Sequence, residues 1–412
     1  MTRNGLSVRR DEWHRPLVLA LALTVNAATV VRAQQPAVTG VVFIDANGNG
    51  VRDSGEPGVP GVAVSNQDAV VVTDASGAFR LPRGGYGVAF VSVPDGYKSV
   101  GPFWRSVADS AAAPTLAFPL APVPKTSEFS FVHASDTHIA PANVERTRRL
   151  RALVDSLHPS LLLITGDLVR DALRVGEAEA TGYYDLFAHE TAQFKTPLWT
   201  VPGNHENFGI ERHLSLVSPK HPLYGRKMYR KYFGPDYYSF TYGGVHFVGL
   251  NTVDIDDLWY YGHVDSLQLA WLARDLANVP QGMPVVTFDH IPFYSSFEAL
   301  SGFRDEQPAP TLITVKGKTV FRHTVSNAAD VLAILRQHRH VLALGGHIHA
   351  VEHLEFEAEG MRTRFNQSSA IVAPTDLAGV RFSSGITVYT VRNGVIDAGR
   401  FIPLGAPEPK TP

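Results

Sequence analysis

The stretch PLWTVPGNHE, residues 197–206, joins an apolar run to the polar group Gly-Asn-His-Glu, and the same design recurs four more times along the chain. The other four stretches are FSFVHASDTH (129–138), SLLLITGD (160–167), PVVTFDH (284–290) and HVLALGGHIH (340–349). Apolar runs of this length are typical of buried strands. Because open α/β sheets bind ligands just beyond the carboxyl ends of their strands, we expect the polar groups to meet at one rim of one sheet.

The side chains at these ends are oxygen and nitrogen ligands that suit divalent metals. The candidate metal ligands are Asp136, His138, Asp167, Asn204, His290, His347 and His349. In extended backbone, residues i and i+2 face the same way, so Asp136 and His138 are expected to reach one ion, as are His347 and His349. A carboxylate has two oxygens, so Asp167 can bridge two ions. Paired metals suit the hydrolysis of phosphate esters.

In this order, the five polar groups resemble the motif set of the calcineurin-like metallophosphoesterases, over roughly residues 128–355. The resemblance implies an α/β (α+β) four-layer sandwich of two packed mixed sheets flanked by helices. Residues 361–404 would supply its closing strands. It also implies a phosphorylated substrate and two bound metal ions. Nitrogen and oxygen ligands without thiolate allow manganese, zinc or iron.

The same resemblance assigns a role to each candidate. It implies one metal held by Asp136, His138 and His349, and a second held by Asn204, His290 and His347. Asp167 would bridge the two metals, and His205 would donate a proton or contact the phosphate, which makes these two the catalytic candidates. The implied reaction is attack on phosphorus by a metal-bridging hydroxide.

Three positions raise separate questions. Arg170 stands where purple acid phosphatases have a tyrosine ligand, so an iron–tyrosine site is not expected. Asp289 either orients His290 as an outer hydrogen-bond acceptor or faces the other side of its strand. His246 alternates with apolar residues, which favours a strand histidine away from the metals.

The first part of the chain has a different sequence pattern. Residues 37–121 contain many short β-type runs separated by Gly, Pro, Asp and Asn, which predicts a small all-β sandwich. This part resembles the prealbumin-like or SdrB-like modules of secreted bacterial proteins, and docking at a cell surface is compatible with it. Residues 122–127 are expected to form a Pro-rich linker, followed by a catalytic domain over 128–405.

One loop of this first module matches the twelve-residue calcium loop of EF-hand proteins position by position. The candidate calcium ligands are Asp45, Asn47, Asn49, Asp53 and Glu56. Gly50 occupies the position of the sharp turn. The sequence therefore predicts one structural calcium, with a metal-free Asn/Gly-rich turn as the alternative.

The amino-terminal residues predict export. Residues 1–33 combine an arginine-rich start, an apolar run and a Val-Arg-Ala cleavage site, which is typical of a secretory signal peptide. They carry five arginines and two acids, so their removal takes the net charge from −2 to −5. This acidic balance gives no signal of nucleic-acid binding. The chain has no cysteine, which excludes a thiol nucleophile and disulfides. We expect a secreted or periplasmic protein with no transmembrane helix after cleavage.

Helices are expected over 144–157, with Asn143 as its cap, over 266–276 and over 330–337. A basic, aromatic loop over 206–238 either grips an anionic substrate or is a solvated loop with packed aromatics. Residues 301–327 include a hairpin with Lys316-Gly317-Lys318 at its tip, predicted to influence substrate choice. The aromatic run Trp259-Tyr260-Tyr261 either stacks on substrate or belongs to the core.

Together these patterns predict a secreted, dinuclear metallophosphoesterase. One alternative is a phosphodiesterase or nucleotide pyrophosphatase of the same fold. The other, from a different class, is a surface binding protein whose phosphoesterase domain is inactive.

Overall fold

The computed structural model describes residues 37–107, 115–297, 310–358, 360–377 and 379–405. The predicted signal peptide lies outside the described residues, as do residues 301–309 of the predicted specificity loop.

Within the described residues 37–107 and 115–122, the first module has eight strands arranged in two sheets. The strands are β1 (Ala37–Ile44), β2 (Ala63–Ser65), β3 (Val70–Val72), β4 (Ala78–Pro82), β5 (Val88–Val91), β6 (Tyr97–Ser99), β7 (Trp104–Ser106) and β8 (Thr115–Pro122). One sheet has the order β4-β1-β8-β6 and the other the order β3-β2-β5-β7. Strands β1 and β8 are parallel, and the remaining pairs are antiparallel. The prediction of an all-β module is confirmed.

The described residues from 128 onward form two six-stranded sheets and three short hairpins. Its strands are β9 (Glu128–Ala134), β10 (Leu161–Thr165), β11 (Leu198–Val201), β12 (Tyr238–Tyr242), β13 (Val245–Gly249), β14 (Val253–Asp256), β15 (Trp259–Gly262), β16 (Pro284–Phe288), β17 (Leu312–Val315), β18 (Lys318–Phe321), β19 (Arg339–Gly345), β20 (Glu352–Ala358), β21 (Met361–Gln367), β22 (Thr375–Leu377), β23 (Val380–Phe382), β24 (Gly385–Arg392), β25 (Val395–Ile396) and β26 (Arg400–Pro403). Sheet A has the order β11-β10-β9-β24-β25, with β26 paired to β24, and sheet B has the order β12-β13-β16-β19-β21-β20. The hairpins are β14–β15, β17–β18 and β22–β23.

Both sheets are mixed. In sheet A, β9, β10 and β11 are parallel and β24 runs antiparallel to β9. In sheet B, β13, β16, β19 and β21 are parallel, while β12 and β20 run antiparallel at the two edges. The five predicted apolar runs therefore form β9, β10, β11, β16 and β19, all inside the parallel portions. The expectation that they share one sheet is wrong, because β9, β10 and β11 belong to sheet A and β16 and β19 to sheet B.

In the part of the chain that the structure describes, six helices connect the strands. They are α1 (Val144–Leu157), α2 (Glu177–Thr191), α3 (Arg212–Ser215), α4 (Lys227–Phe233), α5 (Ser266–Leu276) and α6 (Ala328–Leu335). The bounds predicted for α1 and α5 agree with the structure, whereas α6 begins and ends two residues earlier than the predicted 330–337.

Asn143 occupies the N-cap position of α1, as predicted, but its side chain makes no cap hydrogen bond. Its Oδ1 accepts from the Ala140 amide at 2.8 Å, and its Nδ2 donates to the His138 carbonyl at 2.9 Å. The side chain therefore closes the turn that carries His138, because a local loop competes with the helix terminus for the amide group.

Alternation along β10 explains the layers. Leu161 and Leu163 belong to the core between the two sheets, whereas Leu162 and Ile164 belong to a separate core together with Leu150 of α1. Successive strand residues point to opposite faces, so one face of sheet A packs on sheet B and the other packs on helices. The predicted four-layer α/β fold is confirmed.

The first module packs directly on the second part of the chain. Gln67 is fully buried and donates to Asp236 Oδ1 at 2.9 Å, while the Tyr237 hydroxyl donates to the Gln67 carbonyl at 2.9 Å. The Trp271 indole N–H donates to Ser65 Oγ at 3.1 Å. The apolar residues of both parts form one continuous core, and the described residues belong to one compact unit. We call this interface the module junction.

Among the described residues, none of the helices has the length and apolar content needed to cross a membrane.

Candidate metal centre

The polar groups that follow β9, β10, β11, β16 and β19 meet at one rim, beyond the carboxyl ends of these strands. The structure brings together all seven predicted metal ligands, in two groups that share Asp167. This convergence follows from the parallel direction of the strands, which places the five loops on the same side. The binding of metal by these residues stays a prediction.

The first group contains Asp136, His138, Asp167 and His349, whose ligand atoms all lie within 4.8 Å of one another. His349 Nε2 lies 3.1 Å from Asp136 Oδ1 and 3.3 Å from His138 Nε2. His138 Nε2 lies 3.5 Å from Asp167 Oδ2. Separations of this size leave room for one ion between the four atoms, since metal–ligand bonds are about 2.0–2.2 Å long.

The second group contains Asp167, His290 and His347. His290 Nε2 lies 3.3 Å from Asp167 Oδ1 and 3.2 Å from His347 Nδ1. Asn204 Oδ1 lies 3.2 Å from the same His290 nitrogen, which adds the neutral oxygen expected from the sequence. The two oxygens of Asp167 therefore face different groups, as a bridging carboxylate requires.

The backbone at the ligands differs from the expectation. Asp136 and His138 lie in one group, as their i, i+2 spacing predicted, whereas His347 and His349 lie in different groups, so the prediction is wrong for the second pair. The extended backbone expected for both pairs is also wrong. Asp136 and His138 have φ values of 56° and 39°, and His347 and His349 have values of 68° and 59°. Asp167 also has a positive φ, of 48°. Each of these left-handed residues costs on the order of 1 kcal/mol or more, which the surrounding contacts must offset.

Two glycines make room for this close packing. A Cβ added at Gly203 would lie 2.2 Å from Asp167 Oδ1, and one added at Gly346 would lie 1.9 Å from Ser135 Oγ and 2.8 Å from Asp136 Oδ2. Any larger residue at either position would therefore displace a carboxylate of the site.

Charge within the site sets the protonation of the ligands in the metal-free protein. Burial disfavours the charged form of His290, but the negative charge of Asp167 outweighs it and raises the pKa of His290 to about 10. Burial and the neighbouring His205 lower the pKa of His138 to about 4. Burial raises the pKa of the Asp167 carboxyl, but the nearby histidines, His290 first, hold it well below its usual range. Asp167 is therefore a carboxylate at neutral pH.

His205 lies beside both groups and is partly open to solvent, with 20% of its side chain exposed. Its Nδ1 lies 2.6 Å from the Arg170 carbonyl, and its Nε2 lies 3.8 Å from Asp167 Oδ2. The backbone N–H of His205 also donates to Asp167 Oδ1 at 3.0 Å. A ring that donates from Nδ1 to the Arg170 carbonyl presents Nε2 to the site, so His205 is placed to meet a phosphate oxygen.

Two residues near the site were not assigned a role from the sequence. Glu206 is fully buried, and its carboxyl accepts from the amides of Val169 at 3.0 Å and Gly203 at 2.6 Å. Burial and the charge of Asp167 raise the pKa of Glu206 to about 8. His323 Nδ1 lies 2.7 Å from His347 Nε2. Glu206 follows the Gly-Asn-His group directly, a signal that sequence reasoning could have used, whereas nothing in the sequence around His323 indicates its position.

The question of Asp289 is settled by its surroundings. Its two carboxylate oxygens are buried and make no hydrogen bond among the described residues, and His290 Nδ1 bonds instead to the Thr165 carbonyl at 2.8 Å. Asp289 faces away from the metals, where it lines a small cavity with Phe293 and Phe365. Burial raises the pKa of this carboxyl well above its usual range.

His246 also lies away from the candidate metal centre. Its Nε2 lies 3.0 Å from Asp275 Oδ2 and its Nδ1 lies 2.9 Å from Thr241 Oγ1. The histidine therefore belongs to a buried polar network, as its alternation with apolar residues suggested.

The three arginines of the basic loop over 206–238 are paired with acids. Arg212 pairs with Asp257, Arg226 pairs with Asp254 and Asp265, and Arg230 pairs with Asp236. These pairs favour a structural role over the grip on an anionic substrate.

The aromatic run lies partly at the site. Tyr260 and Tyr261 are buried, and the Tyr260 ring meets the His347 ring edge-on at 5.8 Å between centroids. The predicted hairpin is present as β17–β18, and Lys316 and Gly317 form its two-residue turn with φ of 48° and 78°. These positive φ values are typical of a type I′ turn. An effect of this hairpin on substrate choice stays a prediction.

The candidate calcium loop is compact and closed by its own side chains. Asp45 is buried, and its carboxylate accepts from the amides of Gly48 at 2.8 Å and Gly50 at 2.7 Å. Glu56 accepts from the amides of Ala46 and Asp53, each at 2.9 Å. Asn47 and Asn49 both donate to Asp53 Oδ2, at 2.8 and 2.9 Å. The fold of the loop is therefore shown, and calcium binding stays a prediction.

Comparisons with known proteins agree with this architecture. The model of the calcineurin-like phosphoesterase family matches residues 129–351, and that of the SdrD B-like domain matches residues 37–112. The chain is 22% identical over 266 residues to the 3',5'-cyclic adenosine monophosphate phosphodiesterase CpdA of Escherichia coli K12, covering 61% of this chain and 79% of that protein. It is 25% identical over 210 residues to the 3',5'-cyclic-nucleotide phosphodiesterase alr5338 of Nostoc, covering 50% of this chain and 60% of that protein.

Two solved structures are also similar. A dimetal phosphatase from Danio rerio has a TM-score of 0.43 and 15% identity, covering 66% of this chain and 96% of that chain. GAP50, the anchor in the inner membrane complex of Plasmodium, has a TM-score of 0.40 and 13% identity, covering 67% of this chain and 85% of that chain. On the family match over more than half of its length, the chain belongs to the calcineurin-like phosphoesterases and is a metal-dependent hydrolase of phosphoric ester bonds.

Proposed function

We propose that this protein hydrolyses phosphoric diesters at a dinuclear metal site. The observation that carries the proposal is Asp167, whose two oxygens face two separate groups of nitrogen and oxygen ligands. Two relatives, aligned at 22% and 25% identity, are named as cyclic-nucleotide phosphodiesterases, which supports a diester as the substrate class.

The residues present fit metal ions. Asp136 Oδ1 is buried and makes no hydrogen bond among the described residues, although His349 Nε2 lies 3.1 Å away. An unsatisfied buried carboxylate oxygen is costly, and a cation among these ligands would satisfy it. The ligands are imidazole, carboxylate and amide, a set that accepts manganese, zinc or iron. When bound, such ions neutralise charge on phosphate oxygens and increase the acidity of water.

The chain's own residues orient the reaction. Asp167 stays ionised and is held by the His205 amide, so it keeps its place between the two groups. The Arg170 carbonyl holds Nδ1 of His205 and leaves Nε2 facing the site. When the His205 ring carries a second proton at Nε2, it is placed to give that proton to the leaving oxygen, which is general acid catalysis.

The function is tested with the purified protein on bis-p-nitrophenyl phosphate, p-nitrophenyl phosphate and 3',5'-cyclic adenosine monophosphate. We expect turnover that EDTA abolishes, that manganese or zinc restores, and that is faster on the diesters. Asp167→Asn should lose activity, whereas Asp376→Asn, a matched change at an exposed carboxylate paired with Arg381, should not. Faster turnover of the monoester would overturn the diester proposal, and metal-independent turnover would overturn the metal mechanism.

We also propose that the protein is exported, on the strength of the signal-like residues 1–33. The expected result is a mature chain that begins near residue 34 in the periplasm or medium, read by amino-terminal sequencing after fractionation. A full-length chain confined to the cytoplasm would contradict export. Docking at a cell surface through the first module stays a prediction.

A structural calcium in the first module is proposed from the twelve-residue match and the closed loop. Calcium should raise the melting temperature of the full chain, and Glu56→Gln should abolish that rise, because the final carboxylate of such loops binds calcium with both oxygens. An equal calcium response in both proteins would contradict the proposal.

A further inference from the structure

We propose that His323 is a positioning residue for His347, one of the ligands in the second metal group. The outer nitrogen of His347 is held by His323, so the inner nitrogen faces the site in a fixed orientation. The inference rests on the proposed function in one respect, that His347 binds a metal ion.

The geometry joins the two rings directly. His323 Nδ1 lies 2.7 Å from His347 Nε2, and the rings are inclined by 26° with centroids 5.0 Å apart. The other ring nitrogen of His347, Nδ1, lies 3.2 Å from His290 Nε2, inside the group that includes Asp167. The two nitrogens of His347 therefore face different partners.

The protonation of a neutral imidazole then fixes the direction of the hydrogen bond between His347 and His323. A neutral imidazole carries one N–H, and the nitrogen that binds a metal must offer a lone pair. Because Nδ1 of His347 faces the metal group, its proton belongs on Nε2. That N–H donates to Nδ1 of His323, which accepts. The contact with His323 thus selects the tautomer of His347 that can act as a ligand.

Backbone hydrogen bonds of residues that flank His323 in the sequence fix the position of this segment. The carbonyl of the preceding residue, Arg322, accepts from the Gly262 amide at 3.1 Å, and the amide of Val325 donates to the Pro292 carbonyl at 2.9 Å. These bonds tie the segment to β15 and to the loop after β16, so the segment that follows the β17–β18 hairpin contributes to the site.

His290 offers a useful contrast. The outer nitrogen of His290 bonds to the main-chain carbonyl of Thr165, which no side-chain substitution removes. The corresponding partner of His347 is a side chain, so its contribution can be measured by mutation. Outer partners of this kind change metal affinity by about 10–100-fold in other metal sites.

Two substitutions separate the hydrogen bond from the packing of the ring. His323→Asn removes the ring but places an amide oxygen close to the position of Nδ1, so an acceptor is kept. His323→Phe keeps a flat ring against His347 but has no acceptor. Thr319→Ala, at an exposed position of β18, controls for changes in the hairpin.

The readout is metal content rather than activity alone. Each protein is stripped with a chelator, equilibrated with buffered zinc or manganese and analysed for bound metal per chain, with melting temperatures of the stripped proteins as a fold control. We expect His323→Phe to weaken one of the two metals about 10–100-fold, while the other metal is unchanged and His323→Asn stays close to the unmodified protein.

The outcomes distinguish this inference from the proposed function. If the unmodified protein binds two metals and His323→Phe binds both with equal affinity, the positioning role is overturned. If His323→Asn loses the metal and His323→Phe keeps it, ring packing rather than the hydrogen bond holds His347, which also overturns the inference. If the unmodified protein binds no metal, the proposed function fails, and with it the premise of this role.

Discussion

Replacing Gly203 by alanine should damage the candidate metal centre through one methyl group. The added Cβ would lie 2.2 Å from Asp167 Oδ1 and 2.3 Å from the Asp167 amide nitrogen. Cβ atoms in proteins essentially never lie within 3.0 Å of a non-bonded atom, so either the carboxylate or the backbone must move by at least about 0.8 Å. The displaced atom is the one that accepts from the His205 amide and faces His290.

The size of the effect follows from this displacement. A shift of about 1 Å in a catalytic group costs on the order of 10²-fold in rate, so we expect kcat/KM to fall by that factor. Overpacking should also lower the free energy of unfolding by about 1–3 kcal/mol. Because Asp167 faces both metal groups, the affinity for both ions should decrease together.

The assay measures diester hydrolysis, bound metal and urea unfolding for Gly203→Ala beside Gly182→Ala. Gly182 lies inside α2, and a Cβ there would meet no atom within 4 Å. That control should leave activity unchanged and raise stability by about 0.5–1 kcal/mol. Normal metal content together with kcat/KM within about threefold of the unmodified protein would refute the argument that Gly203 makes room for Asp167, given the rate loss expected from the shift.

Three further predictions follow from the structure. Asn143→Ala should weaken metal binding with little destabilisation of α1, because the Asn143 side chain bonds to the His138 carbonyl and makes no cap hydrogen bond. A metal affinity equal to that of the unmodified protein would contradict this prediction. Metal loading at pH 7.5 should release close to one proton from His290, since the pKa of His290 in the metal-free site is about 10 and a histidine ligand must be neutral. Calorimetry in buffers of different ionisation enthalpy measures the number of protons released, and the absence of proton release would contradict this prediction. Burial opposes ionisation of Asp236, but the charges of Arg230 and Arg226 outweigh burial and lower the pKa of Asp236 to about 2. The ionised carboxylate therefore stabilises the fold fully above the ordinary aspartate pKa, and this stabilisation is lost as the pH falls through about 2. Asp236→Asn should therefore cost about 3–5 kcal/mol in urea unfolding at pH 7 and less at pH 3, and an equal cost at both values would contradict the charge argument.

Periodicity and strand ends were enough to predict an α/β core and the location of the site, whereas the two packed sheets were implied by the family resemblance. The apolar runs before Asp136, Asp167, Asn204, His290 and His347 are strands in the parallel portions of two sheets, and their carboxyl ends meet as expected. Such inference works because a parallel strand is buried on both faces and therefore shows as a short run of consecutive apolar residues.

The local geometry of the ligands could not be predicted in the same way. Asp136 and His138 have positive φ values, and their side chains converge through turns in the backbone rather than through strand alternation. His323 approaches His347 from a segment that no motif marks, because a hydrogen bond between distant segments depends on the tertiary fold. Asn143 likewise had the right residue type for a cap but found a partner in a neighbouring loop.

The module junction limits how this protein can be divided or recombined. A phosphoesterase part expressed without residues 37–121 would expose the Trp271 indole to solvent and leave Asp236 without the Gln67 amide. The truncated surface would carry newly exposed apolar area, which favours aggregation. Fusions and domain swaps therefore have to preserve Gln67 and its neighbours or redesign the module junction, and the two parts are best expressed as a single unit.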